Sequence, residues 1–326
     1  AGTVTWRPEG KGRVTARLKH FIVPEEAPDR APVDSSTSSE MPALDVVVES
    51  FATRERKYGK MELAATNDGR DWRIERLSLG LGDGTLTADG VWQSWASRPS
   101  ISLNIGLDVS DAGAFLSQFG YPGTVKGGTA KLEGKLGWVG SPQTIDYPTL
   151  TGALALSAQK GQFLKAEPGI AKLLGVLSLQ SWITLDFREM FGEGFAFDAL
   201  SGHASITKGV MNTEDFTMKG KAAQVSMSGQ IDLARETQKL KVRVVPSIGD
   251  SFSSVAGLVL ANPIAGLGAM LAQRLFKDPL GQVFAYEYTV TGTWADPKAE
   301  PVAREVPAGS TPAPFPPVPP AAAPAK

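Results

Sequence analysis

The 326-residue chain contains no cysteine and only two histidines. Without cysteine there are no disulfides, no thiolate chemistry and no Cys-ligated metals. His20 and His203 are far apart and fit neither a His-x-x-x-His nor a His-Glu-x-x-His spacing, which would set two metal ligands on one helix face. Charge of one sign is also missing. Lys and Arg total 33 against 34 Asp and Glu, for a formal net charge of -1, so no global field draws nucleic-acid phosphates or an anionic membrane. There is no Gly-x-Ser-x-Gly elbow for a hydrolase nucleophile and no Gly-x-x-x-x-Gly-Lys-Ser/Thr phosphate loop. Glycine is plentiful, but runs such as Gly80-Leu81-Gly82-Asp83-Gly84 join strands with no amphipathic helix after them, which argues against a dinucleotide site. Asp186, Glu189, Asp198 and Asp215 are near enough in sequence to raise a glycosidase or calcium site, yet they alternate with apolar residues as solvated strand positions do. The expectation is a non-enzyme with no cofactor and no metal. The first ten residues hold no basic stretch leading into an apolar run and no initiator Met, and the expectation is a piece of a longer chain.

What the chain does have is alternation. Ile101, Leu103, Ile105, Leu107 and Val109 interleave with Ser100, Ser102, Asn104, Gly106 and Asp108. Ala130, Leu132, Leu136 and Trp138 oppose Lys131, Glu133 and Lys135, and Leu240, Val242 and Val244 oppose Lys239, Lys241 and Arg243. Phe284, Tyr286, Tyr288, Val290 and Trp294 repeat the pattern. Period two is the mark of strands with one apolar and one polar face. Turn signals at Asn67-Asp68-Gly69, Gly82-Asp83-Gly84, Gly127-Gly128, Lys160-Gly161 and Lys208-Gly209 suit tight hairpins and bulges. The expected fold is therefore mainly β, a long, twisted and curled antiparallel sheet. Roughly fifteen strand-like runs at about 4.8 Å each make it on the order of 70 Å long.

Helical periodicity is confined to residues 111–119, 169–179 and 252–276. The last is the most apolar stretch, and a run of roughly 20 apolar residues can cross a bilayer. Asn262-Pro263 breaks it, because Pro disfavours helix in the residue before it while Asn followed by Pro starts a new one. Two short helices result, each about 15 to 20 Å long and too short for a hydrocarbon core of roughly 30 Å. Such a hairpin would either cap the sheet or dip into one leaflet. Its candidate membrane-contact residues are Leu258, Val259, Leu260, Ile264, Leu267, Met270 and Leu271. The expected organisation is strands over 1–23, a flexible Pro/Ser-rich loop over 24–42, a continuous β body over 43–300 and a disordered Pro/Ala tail over 301–326.

A curled sheet with an apolar concave face is a groove that suits an acyl chain. The same residues would serve as the dry core of a sandwich, and periodicity alone slightly favours that reading, because most apolar sheet faces are covered. The residues that would line a groove are Ile101, Leu103, Ile105, Leu107, Val109, Leu132, Leu136, Leu154, Leu156, Val242 and Val244.

Several blocks resemble the AsmA-like family. They are Asp111-Ala112-Gly113-Ala114-Phe115-Leu116 with Phe119-Gly120-Tyr121-Pro122 and Leu132-Glu133-Gly134, then Leu200-Ser201-Gly202 and Met227-Ser228-Gly229-Gln230-Ile231-Asp232-Leu233. Leu185-Asp186-Phe187-Arg188, Gly194-Phe195-Ala196-Phe197-Asp198 and Asn262-Pro263-Ile264-Ala265-Gly266 narrow the likeness to its YhdP branch. The resemblance covers about residues 100 to 300. It implies a bridge-like phospholipid-transfer protein of the periplasm, anchored in the inner membrane through an upstream helix and reaching the outer membrane at its C-terminal end. Its implied partners are phospholipids and the two membranes, with no nucleic acid. It carries no catalytic residues. The rival reading is a non-transporting envelope scaffold with a closed β core.

For the hairpin, Leu258→Asp with Leu271→Asp is expected to leave the sheet folded, by circular dichroism, and to abolish sedimentation with liposomes. Loss of folding instead would assign the hairpin to the core.

Overall fold

The computed structural model describes residues 2–23, 41–53, 56–93, 98–142, 144–164, 194–246 and 285–302. The expected helix at 169–179, the hairpin at 252–276, Asp186 and Glu189, residues 24–40 and the tail beyond 302 lie outside them.

The described strands are β1 (Gly2–Arg7), β2 (Arg13–Val23), β3 (Ala43–Thr53), β4 (Met61–Asn67), β5 (Asp71–Gly80), β6 (Gly84–Gln93), β7 (Ser100–Val109), β8 (Val125–Val139) and β9 (Thr151–Phe163). They continue through β10 (Phe195–Thr207), β11 (Val210–Lys219), β12 (Ala223–Asp232), β13 (Thr237–Pro246), β14 (Tyr286–Thr293) and β15 (Pro297–Pro301). All fifteen form one open sheet in which spatial order equals sequence order. Fourteen inter-strand steps of about 4.8 Å give a body about 67 Å long, with the strands running across its long axis. A sandwich needs two sheets, and the described strands make one.

One pairing departs from the expected antiparallel meander: β2 and β3 run parallel. Antiparallel neighbours can be joined by a hairpin, whereas parallel neighbours need a crossover of a dozen or more residues. The stretch between Val23 and Ala43 is long enough to be one. Its composition reads as a loop, and it carries no signal of strand direction.

The tight turns form where Asn67-Asp68-Gly69, Gly82-Asp83-Gly84 and Lys208-Gly209 are. Lys208 and Gly209 both take positive φ, 50° and 76°, as a two-residue hairpin matched to strand twist requires. Gly127-Gly128 and Lys160-Gly161, by contrast, sit inside β8 and β9, with Gly127 opposite Gly161. There the alternation changes phase, so that Val125, Phe163, Phe195 and Phe197 join the same apolar cluster as Leu200 and Met218. Two bulges do the same work elsewhere. In β5 the register slips at Glu75-Arg76, and in β11 at Glu214-Asp215, each an exposed polar pair between buried or half-buried residues three apart. The extra residue returns Leu77 and Phe216 to the face already occupied by Ile74 and Thr213.

Helix α1 (Ala112–Gln118) links β7 to β8. Asp111 caps it by accepting from the Ala114 N–H at 2.9 Å, and Ala112 and Leu116 pack on the apolar cluster. A short 3-10 turn at Tyr147–Thr149 precedes β9.

Interior glycines lie under neighbouring side chains. At Gly134 an added Cβ would run into the Ala153 carbonyl oxygen and stand 2.8 Å from the Leu154 Cδ2 directly across the ladder. Gly134→Ala is therefore expected to lower stability by about 1–3 kcal/mol, read as a shift in the urea midpoint. At the β11 bulge, Asp215 accepts from the His203 backbone N–H at 2.8 Å, and its Oδ2 lies 2.6 Å from the His203 Nδ1. The bond to the His203 ring, and then that to its backbone, holds the Asp215 carboxyl below the usual carboxylate range. A depressed carboxyl contributes stability above the unfolded carboxylate pKa and loses it as pH falls through the folded value. Because both groups are exposed, Asp215→Asn should cost less than about 1 kcal/mol at neutral pH. The difference in melting temperature from the parent should vanish in acid.

Candidate functional site

In a ladder, residues directly opposite share a face, so the pairings can be followed from strand to strand. One row runs Leu63, Leu77, Ala88, Ile105, Gly134, Leu154 and Ala204 across β4 to β10. Beside it runs Met61, Leu79, Leu86, Leu107, Leu132, Leu156 and Gly202. Past the β11 bulge the latter row resumes as Phe216, Met227, Val242 and Tyr288. A third holds Val109, Ala130, Ala158, Leu200, Met218, Val225 and Val244. The rows lie perpendicular to the strands, along the long axis. All eleven residues singled out from the sequence as groove-lining fall on this single face.

The face is not uniformly covered. Leu103, Ile105, Leu107, Leu132, Leu136, Leu154 and Leu156 are half-buried. Ile101, Val109, Val242 and Val244 are shut away, at 3%, 7%, 1% and 3% exposure. The half-open region also takes in Leu77 and Leu79, whose alternation is broken by the β5 bulge, and Leu86 on β6. The spacing apolar-x-apolar-x-x-apolar-x-apolar, as in Trp72, Ile74, Leu77 and Leu79, was the signal available. Over β11 to β14 the face closes: Met218, Val225, Leu240, Val242 and Val290 have 1% exposure or less. Two polar residues are buried on that closed part, Thr213 and Gln238, and the Thr213 Oγ1 has no partner among the described residues.

One border of the face is aromatic. Trp72 lies opposite Trp92, Trp92 opposite Ile101 and Ile101 opposite Trp138. Each indole N–H reaches a backbone carbonyl: Trp72 to Pro42 at 3.0 Å, Trp92 to Gly140 at 3.0 Å and Trp138 to Ser141 at 2.9 Å. An indole suits such a border because its ring is apolar while its N–H needs a partner. Trp72 and Trp92 meet edge to face, 6.4 Å between ring centroids.

The opposite face is polar. It carries the ion pairs Arg17–Asp45 at 2.9 Å, Lys60–Glu62 at 2.7 Å and Lys131–Glu133 at 2.7 Å. It also carries shallow depressions, one of about 780 Å³ and lined by Asn104, Lys135, His203 and Asp215 among others. Asp198 and Asp215 are exposed. Among the described residues no group of three or more His, Cys, Asp or Glu is placed to hold a metal, and no helix is long and apolar enough to cross a membrane. The membrane-contact candidates Leu258, Val259, Leu260, Ile264, Leu267, Met270 and Leu271 lie outside the described residues.

No solved structure matches the chain. The intermembrane phospholipid transporter YhdP of Escherichia coli strain K12 is 28% identical over 254 residues, which are 77% of this chain and 20% of that protein. The chain thus spans about a fifth of the relative's length. The model of the YhdP protein family matches residues 1–299, and this chain, with its single open sheet and apolar face, belongs to that family.

Proposed function

We propose that the chain is a segment of a periplasm-spanning conduit that moves phospholipid between the inner and outer membranes. The acyl chains lie on the apolar face and the head groups stay at its open side, in water. The observation that carries this reading is the set of unbroken apolar rows along the sheet axis, half-open over β4 to β9.

The physics is passive. Each methylene moved from an apolar surface into water costs about 0.8 kcal/mol, so a whole acyl chain costs on the order of 10 kcal/mol. That barrier corresponds to about seven decades in rate. A row such as Leu86, Leu107, Leu132 and Leu156, one residue per strand, offers a near-constant environment along the path and removes the barrier with no energy source of its own. No bond is made or broken, so the segment needs no catalytic group and no cofactor; phospholipid is its cargo. Transport runs toward the outer membrane, with the β15 end facing it and an upstream helix holding the inner membrane. Membership in the YhdP family and the name of the Escherichia coli relative support phospholipid transport between membranes, while the direction and the orientation of the β15 end are part of the proposal.

The closed stretch over β11 to β14 has the character of a dry core and favours the scaffold reading for that part of the sheet. The conduit floor is accordingly assigned to Leu77, Leu79, Leu86, Leu103, Ile105, Leu107, Leu132, Leu136, Leu154 and Leu156, and Val242 and Val244 to the closed end.

Replacing Leu103, Ile105 and Leu107 by Ser is expected to remove most of the phospholipid that co-purifies with the chain, counted by native mass spectrometry. Because the protein has no cysteine, Leu107→Cys supplies a unique thiol, and bound phospholipid should slow its reaction with maleimide at least severalfold. Wild-type lipid content in the triple variant, together with an unprotected thiol at position 107, would sink the conduit.

A further inference from the structure

The polar face carries ion pairs on β2 to β4 and on β8. Strand β2 presents three cations there, Arg13, Arg17 and Lys19, of which Arg17 meets Asp45. Strand β13, near the other end of the sheet, presents three cations at successive outward positions, Lys239, Lys241 and Arg243. Across β12 they face Gln230, Ser228 and Ser226, and across β14 Thr291, Thr289 and Glu287. Arg243 meets Glu287 at 3.8 Å. Lys239 and Lys241 have uncharged neighbours on both sides and form no ion pair among the described residues. On β15, Lys298 falls in the row of Lys239 and Glu300 in that of Lys241. Four of the five charges at these positions on β13 and β15 are thus basic, three of them on one strand, although the whole chain is close to neutral.

The placement matters as much as the sign. Same-face residues recur every second position, about 6.8 Å apart, along a strand that runs across the long axis. The three cations therefore stand side by side at one level of the body, two inter-strand steps or about 10 Å from the β15 edge. A line at one level meets a plane perpendicular to the axis all at once. A Debye length of about 8 to 10 Å spans the remaining gap. β15 itself is short and bounded by Pro297 and Pro301. Proline removes ladder donors and blunts an edge against pairing with a further strand, so this end is built to meet something other than more sheet. The nearby depression, about 310 Å³ and floored by Ser226 and Ser228, is shallow and shared with Glu214 and Glu287, which fits a surface contact rather than a closed anion pocket.

We propose that Lys239 and Lys241, with Arg243, dock the β15 end of the sheet on an anionic lipid surface by attraction to its phosphate head groups. The inference rests on the conduit reading, in which that end faces a membrane.

The test uses the full 326-residue chain and sedimentation with vesicles of phosphatidylcholine, with and without phosphatidylglycerol. The parent should bind the phosphatidylglycerol vesicles in excess over the neutral ones, and the excess should fade as salt is raised. Lys239→Gln with Lys241→Gln should cut that excess by about fivefold per charge, while Lys239→Arg with Lys241→Arg should keep it. A parent with no preference for the anionic vesicles overturns the proposal, as does a Gln pair that retains the preference or an Arg pair that loses it. Competition by inorganic phosphate at matched ionic strength also overturns it, since that would mark a discrete anion pocket. Co-purified phospholipid is counted in parallel. Equal lipid in parent and Gln pair shows that the change is confined to docking. A parent without phospholipid fails the conduit reading and leaves the docking result to be judged by itself.

Discussion

A one-residue slip anywhere in the ladder would turn every side chain of a strand to the other face. That constraint governs the whole molecule, because a sheet this long keeps one apolar face only if its register is held across every neighbouring pair. The chain meets it with local corrections. Where the inward-facing series would fall out of phase, as between Ile74 and Leu77 or between Thr213 and Phe216, an extra polar residue is inserted and the phase is recovered. Where three strands must change phase together, at Gly127-Gly128, Lys160-Gly161 and Asp198-Ala199, they do so opposite one another and the pairing is undisturbed.

A single-layer sheet has a stability problem that a sandwich does not have, since much of its apolar surface is left to cover. The solution is uneven. Burial is concentrated in two clusters, one along the tryptophan border with Ile101 and Ile206, the other over β10 to β14 with Met218, Leu240 and Val290. Between them the leucines of β5 to β9 remain half-exposed. Folding alone gains from burying those leucines as well. Leaving them half-open forgoes hydrophobic stabilisation of about 25 cal/mol for each Å² left uncovered, a cost that the proposed role of receiving acyl chains would account for. The glycines work to the same end: Gly90, Gly134 and Gly152 let Leu103, Leu154 and Leu136 lie close against the neighbouring backbone.

The two faces divide the labour by chemistry. The apolar face carries the rows that suit lipid tails, whereas the polar face holds the ion pairs and the basic stripe of β13. Net charge near zero conceals that stripe, in which Lys239 and Lys241 have no carboxylate directly opposite.

Much of this architecture was determined by the sequence alone. The alternation of Ile101 through Val109 and of Leu240 through Val244 sets two faces on each strand, since successive side chains of an extended backbone must point opposite ways. Turn residues set the hairpins, and Asp111 sets the start of α1. Tertiary structure decided the rest, because it depends on which strands become neighbours. The parallel pairing of β2 with β3 follows from a crossover whose path no local residue encodes. Leu77 and Leu79 share the face of Trp72 and Ile74 only once the β5 bulge is placed. Which lining residues stay half-open and which close, Leu107 against Val242, was settled by packing between distant parts of the sheet, for burial is a property of the neighbours a residue acquires and not of its own place in a period-two pattern.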